Sequence, residues 1–139
     1  MNQSRTFRCR IPIRFRDIDA MGHVNNAVIF TYFEEGRKAL FLDAFKGSAP
    51  GGFNFILAHI ECDYVLPVLL EDRVVLEMWV TAIGTKSFSL AYALVDEADT
   101  DRIFAKGSSV QVCYDYRRKR SIPVPQALQQ ALTAYHRPA

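Results

Sequence analysis

Hydrophobic and polar residues alternate at the start of the chain, between positions 7 and 16. One face of this segment carries Phe7, Cys9, Ile11, Ile13 and Phe15, and the other carries Arg8, Arg10, Arg14 and Arg16. A period of two is typical of a β-strand with one buried face and one solvated face. Because Pro12 has no backbone N–H to donate, we expect this strand to lie at the edge of a sheet.

The next segment, residues 27–45, contains no proline and predicts a helix. It follows Asn25 and Asn26, a residue type that often caps helix N-termini. Its first turns, AVIFTYF, are apolar on nearly every side, which predicts a helix that is buried all round. The cluster GSAPGG at residues 47–52 predicts the turn that ends the helix.

Most of the remaining chain predicts β-strands. The four candidates are residues 53–66, 73–84, 86–96 and 102–116, and a short C-terminal helix is expected over 125–136. The links between the strands are short, which indicates antiparallel neighbours. One antiparallel sheet that curls around one long central helix would bury such a helix, so the sequence predicts an α+β fold. Exposed sheet edges would then favour pairing of subunits into a homo-oligomer.

Length and composition narrow the class of protein further. The 139 residues fit a single domain over 1–139, and the net charge of +2 does not imply a nucleic-acid partner. No apolar run is long enough to span a bilayer, and the N-terminus lacks the apolar core of a signal peptide. The three cysteines Cys9, Cys62 and Cys113 form no CxxC pair and indicate reduced thiols. We therefore expect a cytoplasmic protein that does not act on membranes.

One segment resembles a metal site in composition only. It holds His59, Glu61, Cys62 and Asp63 on a predicted strand. Neighbouring side chains of a strand point to opposite faces, so these four groups cannot all converge on one ion. We expect no metal.

The segment RFRDIDAMGHVNNAVIFTYFEEGR, residues 14–37, resembles the opening of the hotdog-fold thioesterases, in the class that includes 4-hydroxybenzoyl-CoA thioesterase. An Asp-x-Asp, a Gly-His, an Asn pair and a Glu-rich helix follow one another in the family's order. Residues 59–94 are also similar to the family's middle strands. The resemblance implies the hotdog fold and an acyl-CoA thioesterase that uses no cofactor, since the CoA thioester is the substrate. Two positions differ, because Ile29 replaces a frequent tyrosine and Gly36 a frequent alanine.

Thioester hydrolysis requires attack on the carbonyl carbon and stabilisation of the developing oxyanion. Asp19 lies a few residues before the helix start, so its carboxylate and the free N–H groups of that start can face one carbonyl. The resemblance implies the same assignment, with Asp19 as the catalytic carboxylate and the backbone amide near Asn26 as the oxyanion donor. A turn or capping role is the alternative for Asp19.

Three further residues are candidates around this loop. His23 can orient a water molecule or contact the substrate, although a loop histidine is more often structural. Asp17 is interpreted as an anchor of the loop. Glu34 is a second candidate base, because another hotdog class uses a helix glutamate.

Two groups of residues are candidates for binding CoA. Lys86 and Ser87 match the family position near the pantetheine and nucleotide. Arg117 and Arg118 belong to a run of four cations that favours contact with phosphates, and a solvated tail is the alternative for that run.

The sequence leaves several alternatives open. Hydrolysis of acyl groups on acyl-carrier protein and non-catalytic binding of acyl-CoA are the competing functions. The acyl group, the choice between Asp19 as nucleophile or general base, and a dimer or tetramer also stay open.

Overall fold

A computed structural model of the chain describes residues 5–44 and 54–138. The elements in chain order are β1 (Phe7–Ile11), a 3-10 turn (Phe15–Asp17), α1 (Asn26–Ala39) continued by a π-helical segment (Leu40–Ala44), β2 (Phe55–Tyr64), β3 (Val74–Ile83), β4 (Ser87–Asp96), β5 (Ile103–Asp115), β6 (Arg120–Ser121) and α2 (Gln126–Thr133). The predicted strands and both helices are confirmed. The predicted turn at 47–52 and the predicted helix end at position 45 lie outside the described residues.

The strands form one curled antiparallel sheet in the order β1-β3-β4-β5-β2, and β6 pairs with β5. The long helix α1 packs against the concave face, so the α+β hotdog architecture is confirmed. Along β4, buried Phe88, Leu90, Tyr92 and Leu94 alternate with small residues on the other face, as the sequence predicts. None of the helices in the described ranges is long and apolar enough to cross a membrane.

The contact between α1 and the sheet is close at its centre. The ring of Phe33 stacks on that of Tyr92, with centroids 4.4 Å apart and planes 13° from parallel. Below this pair, a Cβ atom on Gly107 would lie 2.5 Å from Phe33 Cε2 and 2.7 Å from the carbonyl oxygen of Glu61. Glycine at this position therefore allows helix and sheet to approach each other.

Two details of the prediction for the first half of the chain are wrong. The first strand ends at Ile11, and Phe15, predicted to face inward, is 82% exposed. After Pro12 the chain turns, and the amide of Arg14 donates a 2.9 Å hydrogen bond to Asp17 Oδ2, which closes the 3-10 turn. Helix α1 is also not buried all round. Ala27 and Thr31 are exposed, because the sheet covers only one side of the helix.

The edge strand β2 differs from the central strands in its exposure. Among the described residues it pairs with β5 alone, and most of its residues are exposed, including the apolar Ile56 and Leu57. Its register with β5 shifts between Leu57 and His59. The chain therefore presents a long open edge with apolar side chains, of the kind that proteins normally cover or pair.

Candidate active site

The loop before α1 is held by hydrogen bonds across its base. Ile18 and Val24 form an isolated antiparallel bridge, and the amide of Asp19 donates to the carbonyl of His23 at 3.0 Å. The amide of Gly22 in turn donates to the carbonyl of Asp19 at 3.0 Å. Gly22 has φ +88, which a glycine adopts without strain. Asp19 therefore lies at the start of a tight turn directly before the helix.

The carboxylate of Asp19 is half-buried, and a backbone amide of the loop holds one of its two oxygens. Its Oδ1 accepts a hydrogen bond of 2.9 Å from the amide of Met21. Within the described part of the chain, its Oδ2 has no hydrogen-bond partner. One oxygen therefore fixes the side chain, as a turn aspartate does, and the other is available to accept a proton or attack a carbon.

The helix start offers a free backbone donor. Asn25 is the N-cap, and its side-chain oxygen accepts a hydrogen bond of 2.8 Å from the amide of Ala27. The amide of Asn25 donates to the carbonyl of Asp17 at 2.9 Å. Among the described residues, the amide of Asn26 has no acceptor. Because it lies at the positive end of the helix dipole, it can stabilise a developing oxyanion.

A cavity of about 220 Å³ opens beside this helix start. Its lining includes His23, Asn26, Ile29, Tyr64, Pro67 and Phe104. The structure therefore brings two of the three predicted catalytic residues to one cavity. Asp19 lies on the same loop but is not among the residues that line it.

Sequence reasoning missed how the segment after β2 closes this cavity. The amide of Val24 donates to the carbonyl of Val68 at 2.8 Å, and the phenol of Tyr64 donates to the carbonyl of Asn26 at 2.8 Å. The prediction for the segment LPVLLED, residues 66–72, is only a turn between strands. Its apolar residues were the available signal, because Leu66, Pro67 and Val68 line the cavity.

The interpretation of Asp17 as an anchor agrees with its contacts. Its Oδ2 accepts hydrogen bonds from the amide of Arg14 at 2.9 Å and from the phenol of Tyr32 at 2.7 Å. Burial, followed by the hydrogen bond to Asp17, raises the pKa of Tyr32, so the phenol stays protonated as the donor. Asp17 thus ties the loop to α1.

The candidate CoA-binding residues lie together at one end of the sheet. The carbonyl of Lys86 accepts from the amide of Cys113 at 2.8 Å, and Ser87 pairs with Val112. The run of cations is not a tail, because Arg117, Arg118 and Lys119 form the turn between β5 and β6, and Arg120 is the first residue of β6. There Asp115 Oδ1 accepts hydrogen bonds from the amides of Arg117 and Arg118 at 2.9 Å and 3.1 Å.

The candidate CoA-binding residues and the helix start with its candidate catalytic residues are far apart within one chain. Phe55 at the start of β2 pairs with Cys113, next to Lys86, whereas Tyr64 at the end of β2 contacts Asn26. The strand between them has 10 residues, which span roughly 33 Å in extended conformation. A single protomer therefore does not bring the two groups to one site.

A family model described as the thioesterase-like superfamily matches residues 13–132. The chain belongs to this superfamily. The 1,4-dihydroxy-2-naphthoyl-CoA hydrolase of Synechococcus elongatus is 29% identical over 123 residues, which cover 84% of this chain and 88% of that enzyme. The uncharacterized protein YsmA of Bacillus subtilis is 30% identical over 87 residues, which cover 63% of this chain. The match spans 59% of YsmA, less than two thirds of the length of that protein. A thioesterase of Thermus thermophilus, solved with coenzyme A and zinc, is 32% identical with a TM-score of 0.78 and 92% coverage of each chain.

The chain is accordingly a thioester hydrolase. Two of its thiols, those of Cys9 and Cys62, are not suited to act as the nucleophile of this reaction. Burial, with the charge of Glu35 as a smaller cause, raises the pKa of Cys9 to about 11. Burial, with the charge of Asp63, raises the pKa of Cys62 to about 11. Both thiols are protonated at neutral pH, and only the thiolate is a strong nucleophile.

Other groups of this thioesterase lie away from the helix start. Glu34 is exposed on α1, eight residues or about 12 Å along the helix axis from Asn26. His59 and Glu61 share one face of β2, with Nε2 and Oε1 3.4 Å apart. Within residues 5–44 and 54–138, no group of three or more His, Cys, Asp or Glu side chains could hold a metal ion.

Proposed function

We propose that the protein hydrolyses an acyl-CoA thioester to a free acid and CoA, with Asp19 as the catalytic carboxylate. The observation that carries this proposal is the pairing of a carboxylate oxygen and a backbone amide, both without partners in the described chain, at one helix start. The carboxylate of Asp19 has one free oxygen, and the amide of Asn26 has no acceptor. His23 and Asn26 line the adjoining cavity, which can take the thioester.

In the general-base route, Asp19 removes a proton from a water molecule, and the water oxygen attacks the carbonyl carbon. The carbonyl oxygen becomes an oxyanion that accepts a hydrogen bond from the amide of Asn26. Collapse of this intermediate reforms the carbonyl, breaks the carbon–sulfur bond and releases the CoA thiolate, which takes up the proton. In the nucleophilic route, Asp19 attacks the carbon itself, and the carbon–sulfur bond breaks to release the CoA thiolate. Water then hydrolyses the resulting anhydride, which frees the acid and regenerates the Asp19 carboxylate. In both routes His23 orients the water or the substrate.

We further propose that CoA binds across two copies of the chain. Lys86, Ser87, Arg117 and Arg118 lie at the opposite end of β2 from the helix start, so they cannot serve the same site in one protomer. If the open β2 edges of two copies pair antiparallel, the Phe55 end of one strand lies beside the Tyr64 end of the other. The cations of one subunit then approach the helix start of its partner. A homodimer is the smallest assembly with this property, and a tetramer contains it twice.

We also propose that the protein acts in the cytoplasm and that residues 1–139 fold as one domain. It needs no metal or other cofactor, because a carboxylate and an amide supply both parts of the chemistry. The acyl group stays open between aromatic and aliphatic acids. The naphthoyl-CoA hydrolase that the chain resembles makes an aromatic acyl group one candidate.

Hydrolysis of acyl-carrier-protein thioesters is the second candidate, and the ion pairs of the basic N-terminal strand weigh against it. Arg8 is paired with Glu77 at 2.8 Å, and Arg10 is paired with Glu97. Because these charges are compensated within the chain, they attract an acidic carrier protein less than the sequence suggests. Non-catalytic binding of acyl-CoA is less favoured, since it gives no role to the free oxygen of Asp19.

A panel of acyl-CoAs tests the proposal. Aromatic and aliphatic thioesters of several lengths are incubated with the purified full-length protein, and released CoA is measured with a thiol reagent. We expect turnover of at least one acyl-CoA that is lost in Asp19→Asn. Binding without turnover across the panel would favour the non-catalytic module, and turnover of acyl-carrier-protein thioesters alone would favour the second candidate.

A further inference from the structure

A buried arginine on α1 has no counterion among the residues that the structure describes. Arg37 is only 8% exposed, and its NH1 donates one hydrogen bond of 3.1 Å to the phenol of Tyr92. That phenol also contacts Ser109 Oγ at 2.6 Å, and Ser109 continues the chain of hydrogen bonds to Gln111. Burial raises the pKa of Tyr92, so this partner is neutral. The polar network beneath α1 thus holds the guanidinium in place without compensating its charge.

The ion pairs within the described chain do not include Arg37. A guanidinium has five N–H donors, and a buried charge without a partner is strongly unfavourable. No fully buried side-chain nitrogen or oxygen in the described ranges lacks a hydrogen bond. The donors of Arg37 that make no hydrogen bond must therefore reach accessible space.

That space is a second cavity, of about 490 Å³, between α1 and the edge strand β2. Its apolar lining consists of Phe41, Leu42, Phe55 and Leu57. Arg37 lies on its buried side, whereas Glu34, Glu35 and Lys38 are exposed residues of its lining, where water screens their charges. The cavity therefore combines an apolar groove with one largely buried cation.

This combination matches one chemical class of acyl group. An apolar chain fits the aromatic and aliphatic walls, and a terminal carboxylate supplies the counterion that Arg37 lacks, in the fork geometry that guanidinium and carboxylate share. An acyl group without a polar end would cover the cation and leave its donors unpaired, which costs affinity.

We propose that this groove is the acyl-end subsite and that it selects ω-carboxyacyl thioesters, whose terminal carboxylate binds Arg37. The inference rests on the proposed hydrolase activity and names its substrate class. Arg37 lies 11 residues after Asn26, about 16 Å along the axis of α1. An acyl chain therefore has to be extended to reach from the helix start at Asn26 to Arg37. The pairing of two copies decides which subunit's groove the acyl chain enters.

Matched substrate pairs test the proposal in the wild-type protein. Adipoyl-CoA is compared with hexanoyl-CoA, sebacoyl-CoA with decanoyl-CoA, and dodecanedioyl-CoA with lauroyl-CoA. At the length that fits, we expect kcat/KM to favour the ω-carboxyacyl member by about ten- to a hundredfold, the range of a charge-assisted hydrogen bond. Equal or higher kcat/KM for the plain acyl member at every length overturns the proposal and leaves the hydrolase function intact.

Variants then assign the preference to Arg37. In Arg37→Met, the preference should fall to near unity, because the partner of the terminal carboxylate is removed. The matched control Arg73→Met removes an exposed arginine outside both cavities and should keep the preference. A preference that persists in a folded Arg37→Met protein contradicts the assignment. If that variant does not fold, Arg37→Lys should weaken the preference, because an ammonium cannot reproduce the fork.

A binding measurement separates this inference from the activity. Calorimetry with free decanedioate and decanoate on the wild-type protein should show tighter binding of the diacid, whether or not any thioester is hydrolysed. Tighter binding of decanoate overturns the subsite. Absence of hydrolysis with diacid binding retained would instead contradict the proposed function alone.

Discussion

The phenol of Tyr64, the last residue of β2, donates a 2.8 Å hydrogen bond to the carbonyl of Asn26, the first residue of α1. Asn26 is also the residue whose amide has no acceptor among the described residues. The hydrogen bond therefore connects the end of the open edge strand to the proposed oxyanion donor. That carbonyl belongs to the peptide group between Asn26 and Ala27, one peptide after the proposed donor amide, so the edge strand restrains the backbone directly beside that donor.

Removal of this hydrogen bond should affect turnover more than stability. Tyr64 is exposed, so in Tyr64→Phe we expect a loss of at most about 1 kcal/mol in the free energy of unfolding. The backbone beside the Asn26 amide becomes less well restrained, and kcat should fall by a factor on the order of ten. Steady-state kinetics and denaturant unfolding measure the two effects.

Tyr116→Phe is the matched control, because the phenol of Tyr116 donates a similar hydrogen bond of 3.1 Å to the carbonyl of Phe55 at the other end of β2. It should have the same small effect on stability with kcat near wild type. Equal losses of kcat in the two variants would show that the Tyr64 contact has no specific role.

The proposed role of Asp19 is tested by Asp19→Asn. The substitution keeps the shape of the side chain and its capacity to accept from the Met21 amide, but it removes the charge and the basicity. We expect kcat to fall by a factor on the order of 10² to 10⁴, the contribution of a positioned base. Affinity for acyl-CoA should be retained in a binding assay.

Glu34→Gln is the control for this prediction, since Glu34 is the second candidate base and is exposed. Asp17→Asn is a poorer control, because Asp17 anchors the loop through Arg14 and Tyr32. Near wild-type turnover in Asp19→Asn together with loss in Glu34→Gln would move the catalytic carboxylate to the helix.

The cations at the far end of the sheet should contribute to the binding of CoA. In Lys86→Ala, and in a variant with both Arg117 and Arg118 replaced by Ala, we expect KM to rise and kcat to change little, as for uniform binding. The increase in KM should become smaller at high salt, because exposed charges are screened. Lys106→Ala removes an exposed lysine on β5 and should leave KM unchanged, and a similar KM in all variants would mean that these cations are solvated surface only.

The distance between the helix start and the candidate CoA-binding cations predicts an oligomer whose active sites are shared between subunits. Sedimentation of the full-length protein at micromolar concentration should show a dimer or a larger assembly. At substrate concentrations well below the wild-type KM, a protein with Asp19→Asn mixed with one carrying Lys86→Ala should gain activity after subunit exchange, because one of the two sites then contains both intact groups. A folded, fully active monomer would contradict the shared site.

Local patterns in the sequence were sufficient for the secondary structure. Alternation along β4 and the apolar runs of the other strands depend on neighbours a few residues away, and the cap at Asn25 depends on its own side chain. The order of Asp19, His23 and Asn26 before and at the helix start also follows from the chain itself. These features were therefore predicted correctly in kind, with small differences at the ends of elements.

Burial and proximity required the tertiary structure, because they depend on which distant element covers a given face. Phe15 continues the apolar alternation yet is exposed, since the chain turns after Pro12 and none of the described elements covers its ring. The sequence could not indicate that Lys86 and Asn26 lie at opposite ends of the sheet, because the register of β2 on β5 decides that distance. Arg37 is one charge among several on α1 in the sequence, and it becomes a buried cation only because Tyr92 and Ser109 on other strands lie beneath it.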